Sequence, residues 1–297
     1  MRLKAELILL TITFIWAATF VIIKPTLNFI SPLLLVSIRF ILTSLILFVL
    51  FGKELVGIPG KTKKMGIILG TFLFVGFVVQ TIGLQYTTAT KSALITGTFV
   101  VFTPILQVFF EKRSLKFGSI LGVILVFIGL LFLSSKETEF FKFIRTLGND
   151  FNFGDFLTLI CALFFAGYIV YLDYISNKAD FLHIVWLQIL VTAIGSLTLM
   201  FAFEFSNIEE IRFTLNWQVF GTIIYTSIFA TLITTFLQTK FQKFTTPTRA
   251  AIIFTSEPLL ASILAYLILN ESIGIFGVIG GILIIAGVLT SELLDNF

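Results

Sequence analysis

One cysteine, Cys161, and one histidine, His183, are all that 297 residues offer of the side chains that most often bind transition metals. A single thiol excludes an internal disulfide and argues against a structural zinc site. A single imidazole leaves little for metal catalysis or a catalytic dyad, so neither a metal nor a cofactor is expected. Charge is scarce too. Asp, Glu, Lys and Arg make up 12% of the chain, against roughly a quarter in soluble domains. Hydrophobic residues reach 58% and the mean hydropathy is +1.07. A soluble domain of this length could not cover its surface with so few polar groups. The chain therefore reads as an integral membrane protein, with the lipid bilayer as its first partner. Its net charge of +4 then reports orientation rather than affinity for nucleic acid, and no nucleic-acid partner is expected.

A helix crossing a hydrocarbon core of ~30 Å needs ~20 apolar residues. Runs of that kind fall at about 5–24, 33–51, 65–85, 92–110, 117–134, 155–174, 184–203, 217–237, 249–269 and 274–294. Arg2 and Lys4 ahead of the first run imitate a signal peptide. No convincing small-x-small cleavage site follows, however, and the segment resembles the opening helix of the second half.

Residues 80–95, QTIGLQYTTATKSALI, align without a gap on residues 238–253, QTKFQKFTTPTRAAII. Gln80/Gln238, Thr81/Thr239, Thr87/Thr245, Thr88/Thr246, Thr90/Thr248, Ala93/Ala251 and Ile95/Ile253 are identical, and Lys91/Arg249 keeps its charge. Such a repeat divides the chain into two related halves, 1–135 and 154–297, joined by a linker at 136–153. The linker mixes charge with Phe140, Phe141, Phe143, Phe151 and Phe153, as an interfacial segment or a solvated one does.

With the N-terminus in the cytoplasm, inner segments hold Arg2, Lys4, Lys53, Lys61, Lys63, Lys64, Lys112, Arg113, Lys116, Lys178, Lys240, Lys243 and Arg249. Outer segments hold only Lys24, Lys91, Lys136, Lys142, Arg145 and Arg212. That bias predicts both termini on the cytoplasmic side of the cell (inner) membrane. Five spans per half then insert the second half the other way up. Inverted repeats of this kind are a construction typical of secondary transporters.

Several motifs carry a family resemblance. Trp16-Ala17-Ala18-Thr19-Phe20 followed by Lys24, Ser31-Pro32 with Arg39-Phe40, and Gly83-Leu84-Gln85-Tyr86-Thr87-Thr88-Ala89 come in order. Phe254-Thr255-Ser256-Glu257-Pro258 followed by Glu271 completes the set. In order and spacing they resemble the EamA-type branch of the drug/metabolite transporter superfamily over nearly the whole chain. Pro104 departs from symmetry, sitting seven residues before Glu111, whereas Pro258 sits thirteen before Glu271. The resemblance implies an all-α membrane protein of ten transmembrane helices, two inverted five-helix repeats around a central cavity. Helices 1, 3, 4, 6, 8 and 9 would line its pathway. Trp16, Gln80, Thr96, Tyr168, Thr234 and Gln238 are the candidate pathway residues on those helices, each with a packing hydrogen bond as its alternative role.

Glu257 lies mid-way along the ninth run. An ionisable group there costs ~2.5–3.5 kcal/mol to insert and marks a functional position by default. It is the candidate for proton coupling, and a neutral packing carboxyl is the alternative. Arg39, inside the second run, can receive an anionic group or snorkel outward to anchor its helix. Pro104 and Pro258 would kink their helices, freeing the carbonyls of Val100 and Phe254. Glu271 reads as a helix-end group that pairs with a base or caps. Gly118-x-x-x-Gly122 and Gly277-x-x-x-Gly281 allow close helix approach, between the halves or across a dimer, so both monomer and homodimer stay open.

The expectation is a multi-pass carrier of a small organic solute, an amino acid or related metabolite, working by alternating access, with Glu257 as the candidate for proton coupling and export (efflux) as its direction. A phosphorylated-metabolite or drug exchanger of the same fold is the alternative. An intramembrane lipid-acting enzyme would need a catalytic cluster that the spans do not contain.

Overall fold

The computed structural model describes residues 2–111, 116–133, 152–271 and 275–294. The interfacial reading of 136–153 falls almost wholly outside these residues, as do Lys112, Arg113, Lys136, Lys142 and Arg145. In hydrocarbon a backbone must satisfy its own hydrogen bonds, and a helix does so within one segment. Among the described residues eight helical runs are long and apolar enough to cross a membrane and two apolar helices are shorter, and the protein is an all-α membrane protein. These are α1 (Arg2–Thr26), α2 (Pro32–Phe51), α3 (Gly60–Tyr86), α4 in two pieces (Ala89–Gly97 and Phe99–Glu111), and α5 (Phe117–Leu133). Then come α6 (Phe153–Ile175), α7 (Phe181–Phe205), α8 in three pieces (Trp217–Ile224, Tyr225–Ile233 and Thr234–Phe241), α9 in two (Pro247–Phe254 and Ser256–Leu269), and α10 (Ile275–Leu294).

Polar residues at the boundaries start and stop these helices. Thr88 and Thr246, equivalent in the repeat, accept from the backbone N–H of Lys91 at 3.1 Å and of Arg249 at 3.3 Å. Asn152 and Asp155 cap each other's backbone at the start of α6, satisfying two donors that a helix leaves open. Asn270 ends α9 in the left-handed conformation, φ 55°, which asparagine adopts more readily than most residues.

The interruptions of α4 and α9 are alike. Thr98 and Thr255 depart from helical ψ, at −8° and −5°, and each turns its hydroxyl back to the carbonyl three residues earlier, Ile95 and Ile252. That back-bonding competes with the helical ladder and bends it. Pro258 therefore lies in the first turn of a new helix, where its missing N–H has no partner to lose. Pro104 lies inside the second piece of α4, six residues beyond the break at Thr98, so the interruption is the threonine's. The middle piece of α8 is a π-helix of nine residues.

Packing depends on small residues. A Cβ added at Gly129 of α5 would stand 2.8 Å from the Gly280 carbonyl oxygen of α10, and one at Gly287 would stand 2.8 Å from that of Gly122. The small-residue faces of these two helices thus meet each other within one chain. The outward faces are apolar: Val49, Phe109, Phe205 and Trp217 are exposed, as a lipid-facing surface requires. Replacing Gly129 or Gly287 by leucine should destabilise the fold by about 1–3 kcal/mol through overpacking. Thermal unfolding of the detergent-solubilised variants, followed by loss of the monodisperse peak, checks this.

Candidate functional site

The spans line a cavity with contributions from α1, α2, α3, α4, α6, α8 and α9. The lining includes every helix expected to border the pathway, and α2 joins them through Arg39. Trp16, Gln80, Tyr168, Gln238, Arg39 and Glu257 all face this space. Thr96 and Thr234 stand one hydrogen bond behind it. Thr96 accepts from Gln80 Nε2 at 3.3 Å, and Thr234 accepts from Trp16 Nε1 at 3.1 Å.

Arg39 does not snorkel. It is 3% exposed and points inward, its Nε donating to Thr231 Oγ1 at 2.5 Å and its Nη2 to the Ala230 carbonyl at 2.9 Å. The guanidinium carbon lies 4.4 Å from the centre of the Phe77 ring, a cation–π contact that a desolvated site strengthens. The Ala230 carbonyl also accepts from Trp16 Nε1 at 3.3 Å and from Thr234 Oγ1 at 2.8 Å. The π-helix presents this one acceptor to three donors. Such segments recur at functional sites.

Glu257 is 7% exposed. The break at Thr255 places it in the first turn of the second piece of α9, where the helix N-terminus favours a negative group. No hydrogen bond or ion pair from a described residue reaches its carboxylate, and none of the described carboxylates pairs with Arg39. The cavity therefore holds one buried guanidinium and one buried carboxyl group, with no ion pair between them.

Aromatic rings form the walls between them. Trp16 meets Phe254 edge to face at 5.3 Å, and Phe77 meets Phe165 in the same way at 5.3 Å. At the other side Gln238 Nε2 donates to Gln242 Oε1 at 2.9 Å, and Gln242 Nε2 to the Ile169 carbonyl at 2.7 Å. The aromatic walls and the Ala230 carbonyl had no distinct sequence signal. The chain contains 37 phenylalanines, and hydropathy does not register a change of helix type.

Gln238→Leu should leave the buried Gln242 amide oxygen without a donor and cost about 1–3 kcal/mol. Thr234→Ser, which keeps its hydroxyl, should be nearly neutral. Paired thermal melts of the two variants test the contrast.

The EamA-like transporter family matches residues 3–135 and 152–292. An "uncharacterized transporter" of Archaeoglobus fulgidus is 32% identical over 98% of this chain and 87% of its own length. A second from the same organism is 29% identical, covering 97% of both. The "uncharacterized transporter YoaV" of Bacillus subtilis is 22% identical over 96% of this chain and 95% of its own. A protein of known crystal structure superposes with a TM-score of 0.76 at 14% identity, covering 99% of this chain and 98% of that one. That last likeness concerns the fold alone.

Proposed function

The chain belongs to the EamA-like transporter family and is a membrane transporter of the drug/metabolite type, and we propose that it carries a small zwitterionic solute, an amino acid or a related metabolite, by alternating access. The observation that carries this reading is the presence in one cavity of two ionisable side chains that make no ion pair with each other, the Arg39 guanidinium and the Glu257 carboxyl. A buried charge without a partner is costly. A solute bearing a carboxylate and an ammonium group would answer both charges at once, and the aromatic rings between them suit an apolar side chain. A phosphate dianion would meet one cation and be repelled by the carboxylate, so charge balance favours the zwitterion over a phosphorylated metabolite.

The same geometry supports exchange with protons. The solute's ammonium group and a proton compete for the Glu257 carboxylate, so each leaves as the other arrives. With protons driven inward across the cell membrane, that competition exports the solute. Two five-helix halves inserted in opposite senses, with both termini cytoplasmic, supply the two access states. In support, the two copies of the repeated stretch join their helices at opposite ends of α1. Lys24 Nζ donates to the Leu84 carbonyl beside one joint at 2.8 Å, and Thr245 of the other donates to Glu6 at 3.2 Å.

Proteoliposomes carrying an internal pH dye, challenged with pooled amino acids and polar metabolites, test the proposal. Wild type should couple solute flux to proton movement, and Glu257→Gln should lose that coupling. Arg39→Met should lower solute flux about tenfold or more, the scale of one lost charged hydrogen-bond partner. Solute flux without proton movement, in wild type and variant alike, would sink the role of Glu257. Silence from every pool, in protein shown to be folded, would sink the carrier reading itself.

A further inference from the structure

The repeated stretch is held, at each of its two copies, by an acid from the first helix of the other half. In the first copy, Thr87 Oγ1 donates to Asp155 Oδ1 at 2.5 Å and Lys91 Nζ to Asp155 Oδ2 at 2.7 Å. Asp155 opens α6, and its side chain is wholly buried. In the second copy, Thr245 Oγ1 donates to Glu6 Oε1 at 3.2 Å, and Arg249 Nη1 lies 3.8 Å from the same oxygen. Glu6 is in the opening turns of α1. Thr87 matches Thr245 and Lys91 matches Arg249 in the repeat, so the same two positions are gripped both times.

A second layer follows the same rule. Where the first piece of α4 begins, the Glu271 carboxylate, at the end of α9, accepts from the backbone N–H of Ala89 at 3.2 Å, from that of Thr90 at 3.1 Å and from the Thr90 hydroxyl. Where α9 begins, Gln107 Oε1 of α4 accepts from the N–H of Thr248 at 3.3 Å and its hydroxyl at 2.6 Å. Thr90 and Thr248 are again partners in the repeat. The two interrupted helices therefore cap each other's starts. The two assemblies sit at opposite ends of the molecule: Glu6 and Lys24, which marks the other end, are eighteen residues apart on α1, roughly 27 Å of helix.

We infer that these assemblies are the two gates of the carrier, with Asp155–Lys91 closing one end of the cavity and Glu6–Arg249 the other. The inference rests on the alternating-access reading. Both latches are made in this structure. Each working cycle opens one latch while the other holds. Asp155 accepts from its two partners at 2.5 Å and 2.7 Å, and Glu6 accepts from Arg2 Nε at 2.9 Å as well as from Thr245, so each acid holds its end by more than one bond.

Thiol labelling tests the gates without any solute, so it reports on them even in a protein whose substrate is never found. The parent carries Cys161→Ser and a single cavity thiol from Thr19→Cys. An impermeant thiol reagent is applied to right-side-out and to inside-out vesicles. Lys91→Gln, which leaves the Asn152–Asp155 cap intact, should speed labelling about tenfold from the Lys91 end. Arg249→Gln should do so from the opposite end. Tenfold corresponds to about 1.4 kcal/mol of lost latch energy. Combining Glu6→Arg with Arg249→Glu should restore slow labelling, which separates a lost ion pair from a misfolded end. Rates unchanged in both single variants, faster labelling from the same end in both, or a response in only one would overturn the inference.

Discussion

Hydrocarbon leaves no water to satisfy a stray polar group, and in this protein that constraint dictates where each polar side chain goes. Most polar side chains in the spans return to a carbonyl of their own helix or reach a partner on the next one. Thr26 meets Thr222 at 2.8 Å, Thr43 meets the Ser227 carbonyl at 2.9 Å, and Gln188 meets Thr239 at 3.1 Å. The Ser92 and Ser227 hydroxyls are buried exceptions without a partner among the described residues. Glu257 differs from them in being ionisable and in lining the cavity.

The interruptions of α4, α8 and α9 come from the same constraint. Irregular backbone at membrane depth is tolerated where it borders a cavity or is enclosed by protein. The π turn of α8 concentrates Trp16, Arg39 and Thr234 on one carbonyl, and the break in α9 sets a carboxylate at a helix start. Meanwhile α5 and α10, which contribute nothing to the cavity, pack on each other through glycine. They hold residues 117–133 against residues 275–294, and the interrupted helices line the cavity.

Much of this was legible in the sequence. Apolar runs located the eight membrane-length helices and the two shorter apolar ones, because length and hydropathy are nearly sufficient where lipid is the solvent. Polar and ionisable residues inside those runs stood out, and Trp16, Gln80, Tyr168, Gln238, Arg39 and Glu257 among them line the cavity. Other features were not legible, for definable reasons. Arg39 reads equally well as a snorkelling anchor until its neighbours are known. The proline signal at Pro104 and Pro258 pointed near the interruptions, but the hydroxyls of Thr98 and Thr255 decide where they fall. Phe77, Phe165 and Phe254 are lost among many similar rings. The reciprocal grip on the repeat joins residues 64 and 239 positions apart, a pairing that no local pattern encodes.

The π-helical segment of α8 also carries a mechanical consequence. Each of its backbone bonds spans one residue more than in an α-helix, so the segment stores surplus chain. Passing a single residue across either boundary turns the rest of the helix by about 100° and shifts it by about 1.5 Å along its axis. Gln238 lies just beyond that boundary, linked through Gln242 to the Ile169 carbonyl of α6. A change of winding alone, with the bundle otherwise at rest, would swing a side chain out of the cavity like a key turned in its barrel.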